Sequence, residues 1–396
     1  MRNLSKISIE LAIALTFLGF YIFLLILNNI GLLELSRQFS IPFRMVISLL
    51  FIISFISNPN KLSPNFLRVY FIFIIVVFFR IFIDYYHNRF YYLDYLDALL
   101  FLISFSIIPF FSISTFSFSK INYKRLFNYF LALSFLFSVV AAVTFSKYIG
   151  QVGRLNSTST GEDVISPLIL SYCSTLCISI CIVYFLSNNR SKFKSFIAIV
   201  TILLSTIPFF LGASRGALVA MLLSFFGYLV VRQGIKSIFY GVFVLIIFGG
   251  LIYYFDQVLG SGLLDRFFST AEGIEQGNES ANRLVIWKSS FDQFINHPFF
   301  GDRLQMTYSH HYPHNLIIES LQAFGLIGSI PLFILIAMSL KKTIVVFKGN
   351  PEVIWIPILF VQSLIQYMFS GTFFSGAWLW CSIALLLSIS IKSERK

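Results

Sequence analysis

Apolar runs of roughly 20 residues, parted by short polar stretches, recur from one end of the chain to the other. About 20 residues of helix are what the hydrocarbon of a bilayer requires. On that pattern spans are expected at Ile9–Leu27, Ile41–Ser57, Phe66–Ile83, Leu93–Phe111, Leu126–Phe145, Val164–Leu186, Phe193–Leu211, Arg215–Val231, Ser237–Phe255, His314–Leu340, Glu352–Phe369 and Phe373–Ile391. The fold class is therefore an all-α polytopic membrane protein of about 12 transmembrane helices, with residues 1–396 forming a single integral membrane domain. The first run is long and lacks a small-residue cleavage site, so it reads as a retained helix.

One polar stretch breaks the rhythm. Residues 256–313 separate the ninth span from the tenth and are too many for a simple hairpin. Within them Leu284, Trp287, Phe291, Phe294 and Ile295 recur at helical spacing. That spacing predicts an amphipathic helix lying on the membrane surface. Ser280 is placed to cap it, and His297-Pro298 through Gly301 to end it.

Composition sharpens the picture. Charged residues make up 12% of the chain and mean hydropathy is +0.84, whereas a soluble domain is about a quarter charged. The net charge of +12 suggests nucleic acid until the charges are placed. With the N-terminus inside, most of the 29 Lys and Arg fall in cytoplasmic loops, the usual topology signal. Both termini are then cytoplasmic, and no nucleic-acid partner is needed. The inner basic residues are mostly Lys, among them Lys124, Lys192 and Lys194. The outer ones are mostly Arg, including Arg80, Arg89, Arg154, Arg215, Arg266, Arg283 and Arg303. Guanidinium forks match phosphate oxygens, so the outer face suits a polyanion; chance in a small set is the bland alternative. Cys173, Cys177 and Cys181 share one face of an apolar helix. With no His or carboxylate nearby they read as small residues at a tight helix contact, not as a metal or redox site.

Candidate chemistry gathers at the outer helix ends. Gly212-Ala213-Ser214-Arg215-Gly216-Ala217 opens the eighth span with Ser214 as N-cap. A helix N-terminus plus an arginine makes an anion site; the alternative is an arginine that merely snorkels to the interface. Arg283 begins the surface helix. His310-His311-Tyr312-Pro313-His314-Asn315 leads into the tenth span, and Pro313 suits its first position. That puts His314 in the first turn, where the positive helix end favours neutral imidazole, a form able to take a proton from a hydroxyl. Metal binding by His310, His311 and His314 is the rival, and proline disrupts the helical spacing it would need. Glu319, inside the tenth span, is a functional candidate or the partner of an outer arginine. Asp84, Asp94 and Asp97 are interfacial or orient a sugar. Tyr308 and Trp287 stack on sugars or anchor at the interface.

The ordered trio of motifs resembles the O-antigen ligase and O-antigen polymerase superfamily. Its parts here are Ser214-Arg215-Gly216-Ala217, then Asn282-Arg283-Leu284…Trp287…His297-Pro298-Phe299-Phe300-Gly301, then His314-Asn315-Leu316-Ile317-Ile318-Glu319…Gly325-Leu326-Ile327-Gly328. They cover roughly residues 193–340. The resemblance implies a GT-C-like membrane glycosyltransferase of the bacterial inner membrane, metal-independent and inverting, without a cofactor. Its donor would be an undecaprenyl-diphosphate-linked glycan, its acceptor a sugar hydroxyl, and its site would face the periplasm. It assigns the donor diphosphate to Arg215 and Arg283 and acceptor activation to His314, with Asn315, Glu319, His311 and Tyr308 in support.

Polymerase and ligase differ in acceptor: another lipid-linked repeat unit, or lipid A–core. Tyr312-Pro313-His314-Asn315 followed by Glu319 looks more like the polymerases, which also implies a chain-length regulator and a flippase as partners. A protein-glycosylating relative is a further option. A lipid-linked oligosaccharide flippase is the reading from another class. It would need repeated halves and midplane polar residues, whereas the distinctive residues here lie at outer helix ends.

Overall fold

A computed structural model of the chain describes residues 2–32, 36–57, 65–116, 121–150, 155, 166–187, 191–234, 236–259, 262–263, 279–349 and 351–389. Among them the regular structure is helical throughout, with no strand. Nine helices among the described residues are long and apolar enough to cross a membrane: α1 (Ser5–Asn29, continuous through a π-turn), α2 (Gln38–Ser57), α3 (Asn65–Tyr86), α4 (Tyr95–Thr115), α5 (Tyr123–Tyr148), α6 (Pro167–Leu186), α7 (Lys192–Gly212), α8 (Arg215–Gln233) and, beyond the long polar stretch, α11 (Leu316–Gly349). Between α8 and α11 lie α9 (Lys236–Leu259) and α10 (Glu279–Asn296). Two shorter apolar helices follow, α12 (Trp355–Phe369) and α13 (Ala377–Ser388). The chain is thus an all-α, multi-pass membrane protein. Arg154, Arg266 and residues 260–261 and 264–278 of the long polar stretch lie outside the described residues.

Two expected boundaries are corrected. α10 runs from Glu279, so Ser280 lies inside the helix and not ahead of it. α11 begins at Leu316, which leaves Pro313 and His314 before the helix. Asn315 supplies the reason: its side-chain oxygen accepts from the backbone N–H groups of Ile317 and Ile318 at 3.1 and 3.2 Å. That is the work of an N-cap, and asparagine does it better than proline or histidine.

The chain divides into two compact units. The first comprises residues 1–54, 119–267 and 344–363, and in it α6 packs along α7 and α5. Small side chains make these contacts close. Cys173, Cys177 and Cys181 are buried with free thiols, Ser138 and Ser205 share a hydrogen bond of 2.7 Å, and Gln362 donates to Ser179. Lipid tails are as apolar as leucine, so fit and polar contacts of this kind, not hydrophobic burial, bind the spans together. At the start of the unit, fully buried Glu10 is held by the Arg125 guanidinium and by the Asn122 N–H at 2.9 Å. A carboxylate in a span demands such pairing.

The second unit comprises residues 55–118, 268–343 and 364–396. Its centre is aromatic: Tyr70 stacks on Phe110 at 3.6 Å, Phe73 packs against Phe324 and Trp380, and Phe324 against Phe373. α13 lies against the second half of α4. α11 is not a continuous helix, because Gly325 breaks it with φ +65° and ψ −171°. That break organises everything that follows.

Candidate active site

Of the candidate residues, the first unit holds Arg215. α7 ends at Gly212, Ala213 turns the chain in the left-handed region (φ +44°), and Ser214 caps α8 by accepting from the Ala217 N–H at 3.3 Å. A Cβ on Gly212 would overlap the Pro167 carbonyl and the Ser171 hydroxyl of α6. Ser171 Oγ donates to the Phe209 carbonyl at 3.1 Å and accepts from Ser214 N–H at 3.3 Å. The turn is therefore stitched to α6 on both sides, and half-buried Arg215 starts its helix from a fixed backbone.

The second unit holds Arg283, His311, His314, Asn315, Glu319 and Tyr308. Its frame is a backbone crossing. At the Gly325 break, Leu326 and Ile327 N–H donate to the Pro298 and Phe299 carbonyls at 2.8 and 3.1 Å, and the Gln322 carbonyl accepts from Asp302 N–H at 2.9 Å. Non-helical backbone inside a span must find partners of this sort. Gly301 (φ +71°) and Gly325 face one another so closely that a Cβ on either would collide with main-chain atoms of the other segment. The two glycine motifs noted in the sequence are thus the two halves of one contact.

Residues of α3 clamp that crossing. Buried Arg80 donates to the carbonyls of Phe300, Gly301 and Asp302, and buried Asp84 accepts from Leu304 N–H at 2.7 Å. Asp302 in turn takes Arg89, Arg303 and the Gln293 amide. The expectation of an arginine-rich outer face meeting a polyanion is accordingly narrowed: Arg80, Arg89 and Arg303 are engaged within the protein. Asp84 has a structural role, and Asp94 caps α4.

On this frame stands His314. Trp287 of α10 donates from Nε1 to the Pro313 carbonyl at 2.9 Å, and Asn315 donates to the Met368 carbonyl at 3.0 Å, so the segment between is held on both sides. His314 itself adopts the left-handed region at φ +54°, a conformation unfavourable for a β-carbon and found mostly where function or surroundings impose it. Its imidazole is reached by solvent yet closely ringed by protein. Desolvation lowers its proton affinity below the usual histidine value; the positive charge of Arg283 and then His311 lower it further, while a hydrogen bond with the Gly371 backbone opposes them. The expected neutral tendency thus has a different cause from the helix end invoked on sequence grounds.

The other candidates sort as follows. His311 lies over Tyr92 with ring centroids 4.0 Å apart, and His310 over Tyr91 at 4.3 Å. Gln305 fixes both tyrosines by accepting their backbone N–H groups at 2.9 Å. Tyr308 is exposed. Glu319 is fully buried and pairs with the Thr372 hydroxyl; no arginine reaches it among the described residues, and its Oε2 is left without a directed hydrogen bond, although the Phe373 backbone lies close. No group of three or more His, Cys, Asp or Glu among the described residues is arranged to hold a metal ion. Sequence reasoning read Arg80 only as one of the outer arginines and passed over Asp302, Gln305, Gln322 and the Gly371-Thr372 segment. An Arg–Asp pair four apart in an apolar span was the available signal. The others are visible only through partners distant in the chain.

With this geometry in place, comparison with known families adds one finding. Residues 199–333 match the family model described as O-antigen ligase, a family of glycosyltransferase-like enzymes. The matched stretch takes in Arg215, Arg283, His314, Asn315, Glu319 and the Gly301–Gly325 crossing. No curated protein matches the chain.

Proposed function

Taking that match as premise, we propose that the chain is a surface-polysaccharide (O-antigen) polymerase of the bacterial inner membrane. It transfers an undecaprenyl-diphosphate-linked glycan to a sugar hydroxyl of another lipid-linked repeat unit at the periplasmic face. The observation that carries the reading is His314: an accessible imidazole on a fixed backbone, its proton affinity lowered by burial and by Arg283. In the proposed step the acceptor hydroxyl gives its proton to His314 while its oxygen bonds to the anomeric carbon. The bond from that carbon to the diphosphate breaks, and the electron pair departs with the diphosphate. Arg283 and Arg215 are assigned to the phosphate oxygens, where guanidinium forks stabilise the charge that develops. Attack opposite the leaving group inverts the anomeric centre. The imidazolium then returns its proton to water. The scheme needs no general acid, because a diphosphate leaves with little protonation, and it gives the two arginines the charge stabilisation that a metal would otherwise supply.

Asn315 is assigned the positioning of His314, and Glu319 with Thr372 the support of α11 beneath it. A flippase and a chain-length regulator of the same pathway are the proposed partners. Deletion of the gene followed by electrophoresis of lipopolysaccharide tests the assignment. A core bearing a single repeat unit is expected; bare core with polymer left on the lipid carrier would make the protein a ligase, and unchanged glycans would remove it from glycan transfer. With purified protein and a lipid-linked donor, His314→Ala is expected to lose transfer while still inserting normally. Near-normal transfer by that variant would eliminate the proposed base.

A further inference from the structure

α10 carries a second feature that the transfer scheme leaves unused. Arg283, Trp287 and Ser290 fall on one side of this helix, where Trp287 meets Pro313 and Ser290 meets Gln322. Lys288, Asp292 and Asn296 recur at intervals of four and so form another stripe, about half a turn away round the axis. That stripe forms one wall of a groove of about 520 Å³, whose other walls include His297, Arg303 and Thr307. The volume lies within the range of small-molecule sites, about 300–1,000 Å³.

Its floor is built, not incidental. Buried Gln293 accepts from both the N–H and the hydroxyl of Thr307 at 3.1 Å and donates to Asp302 at 2.9 Å. Asp302 is the residue gripped by Arg89 and Arg303. The floor thus shares the clamp that frames His314. The walls, by contrast, present unspent groups: Lys288, Asp292, Asn296 and His297 are exposed, and their side chains make no hydrogen bond or ion pair among the described residues.

The lining chemistry selects the ligand. One cation, Lys288, and one anion, Asp292, are left open beside the closed Asp302–Arg303 pair, with amides and hydroxyls between them. A site for diphosphate or another polyanion would show a surplus of positive charge, and one for an acyl chain would lack the polar groups. Alternating donors and acceptors around an open groove match a polyhydroxylated chain, every hydroxyl of which both donates and accepts.

We propose that this groove is a second carbohydrate subsite, which holds the saccharide of a lipid-linked substrate away from the reacting centre. The inference rests on the polymerase reading for the identity of the glycan, though not for its binding. Its consequence is processivity: a chain retained here re-engages His314 at a high effective concentration instead of diffusing away.

The test uses the full-length protein in lipid nanodiscs and, as probe, the repeat-unit oligosaccharide released by mild acid from the host's own surface polysaccharide. Saturation-transfer NMR is expected to show binding by the wild type and by His314→Ala. The double variant Asp292→Ala/Asn296→Trp is expected to bind about tenfold or more weakly, the loss of a pair of hydrogen bonds. Both substitutions are at exposed positions, where folding tolerates change. In cells the double variant is expected to make a single linkage at the normal rate but markedly shorter chains. Equal oligosaccharide binding by the double variant and wild type, or no binding by the wild type, overturns the subsite. Failure of the wild type to transfer from a lipid-linked donor would sink the polymerase reading alone, because the binding comparison is made without that donor.

Discussion

Two turns, one in each unit, carry the residues assigned to transfer, and both depend on glycine in different ways. At Gly212 the missing Cβ lets the end of α7 press against a carbonyl and a hydroxyl of α6; the requirement is for space alone, and the left-handed position falls next door on Ala213. At Gly301 and Gly325 space and conformation coincide: each has a positive φ, and each abuts the other's main chain. The first turn fixes where a helix starts. The second replaces a missing stretch of helix with hydrogen bonds from a distant segment. A region that solves two problems with one residue has less room for error, and the consequences of substitution should differ accordingly.

The largest effect is expected from Gly325→Ala. Left-handed strain of roughly 1–3 kcal/mol adds to overpacking of about 1–3 kcal/mol, and the Pro298 and Phe299 carbonyls lose their donors together. The solubilised variant should unfold well below wild type and lack transfer activity; a thermal melt within a degree or two of wild type would refute the crossing. Gly212→Ala should cost less, about 1–3 kcal/mol from overpacking alone. Its melting temperature should fall modestly while transfer drops further, because α6 displaces the turn that seats Arg215. Equal losses at the two glycines would mean that the two turns do not differ in this way.

Smaller effects concern His314. Its proton affinity is depressed, so the neutral base survives to lower pH. Activity should stay level as pH falls from 8 and decline only below the ordinary histidine value of 6.5. In Arg283→Ala the residual activity should decline at a higher pH than in wild type, since one cause of the depression is gone, though burial still holds part of it. Arg283→Lys keeps the charge and should leave that limb in place while losing most of the rate, because a single ammonium cannot reproduce the fork. An acid limb that fails to move in Arg283→Ala would uncouple the two residues. The smallest change is expected from Trp287→Phe, which deletes the bond to the Pro313 carbonyl, worth about 1 kcal/mol. It should lower kcat a few-fold without moving the pH profile.

The helical, membrane-spanning architecture was legible in the sequence because it follows from a one-dimensional rule. A backbone in hydrocarbon must satisfy itself locally, so length and apolarity suffice to mark the spans. The Ser214 cap and the end of α10 before Gly301 were legible for the same reason, since each is decided within a few residues. Arg283, His314 and the glycine motifs were recognisable as residues of interest, but what they meet was not. Arg80 reads as an outer cation that suits phosphate, yet it grips carbonyls more than 200 positions away. Glu319 invites an arginine and finds Thr372. His314 is poised by burial and by Arg283, where proximity to a helix start had been the evident cause. Sequence alone settles what the backbone can do with its neighbours. Only tertiary structure decides which distant groups share a dry, crowded space, and there the fate of a charge depends on what surrounds it.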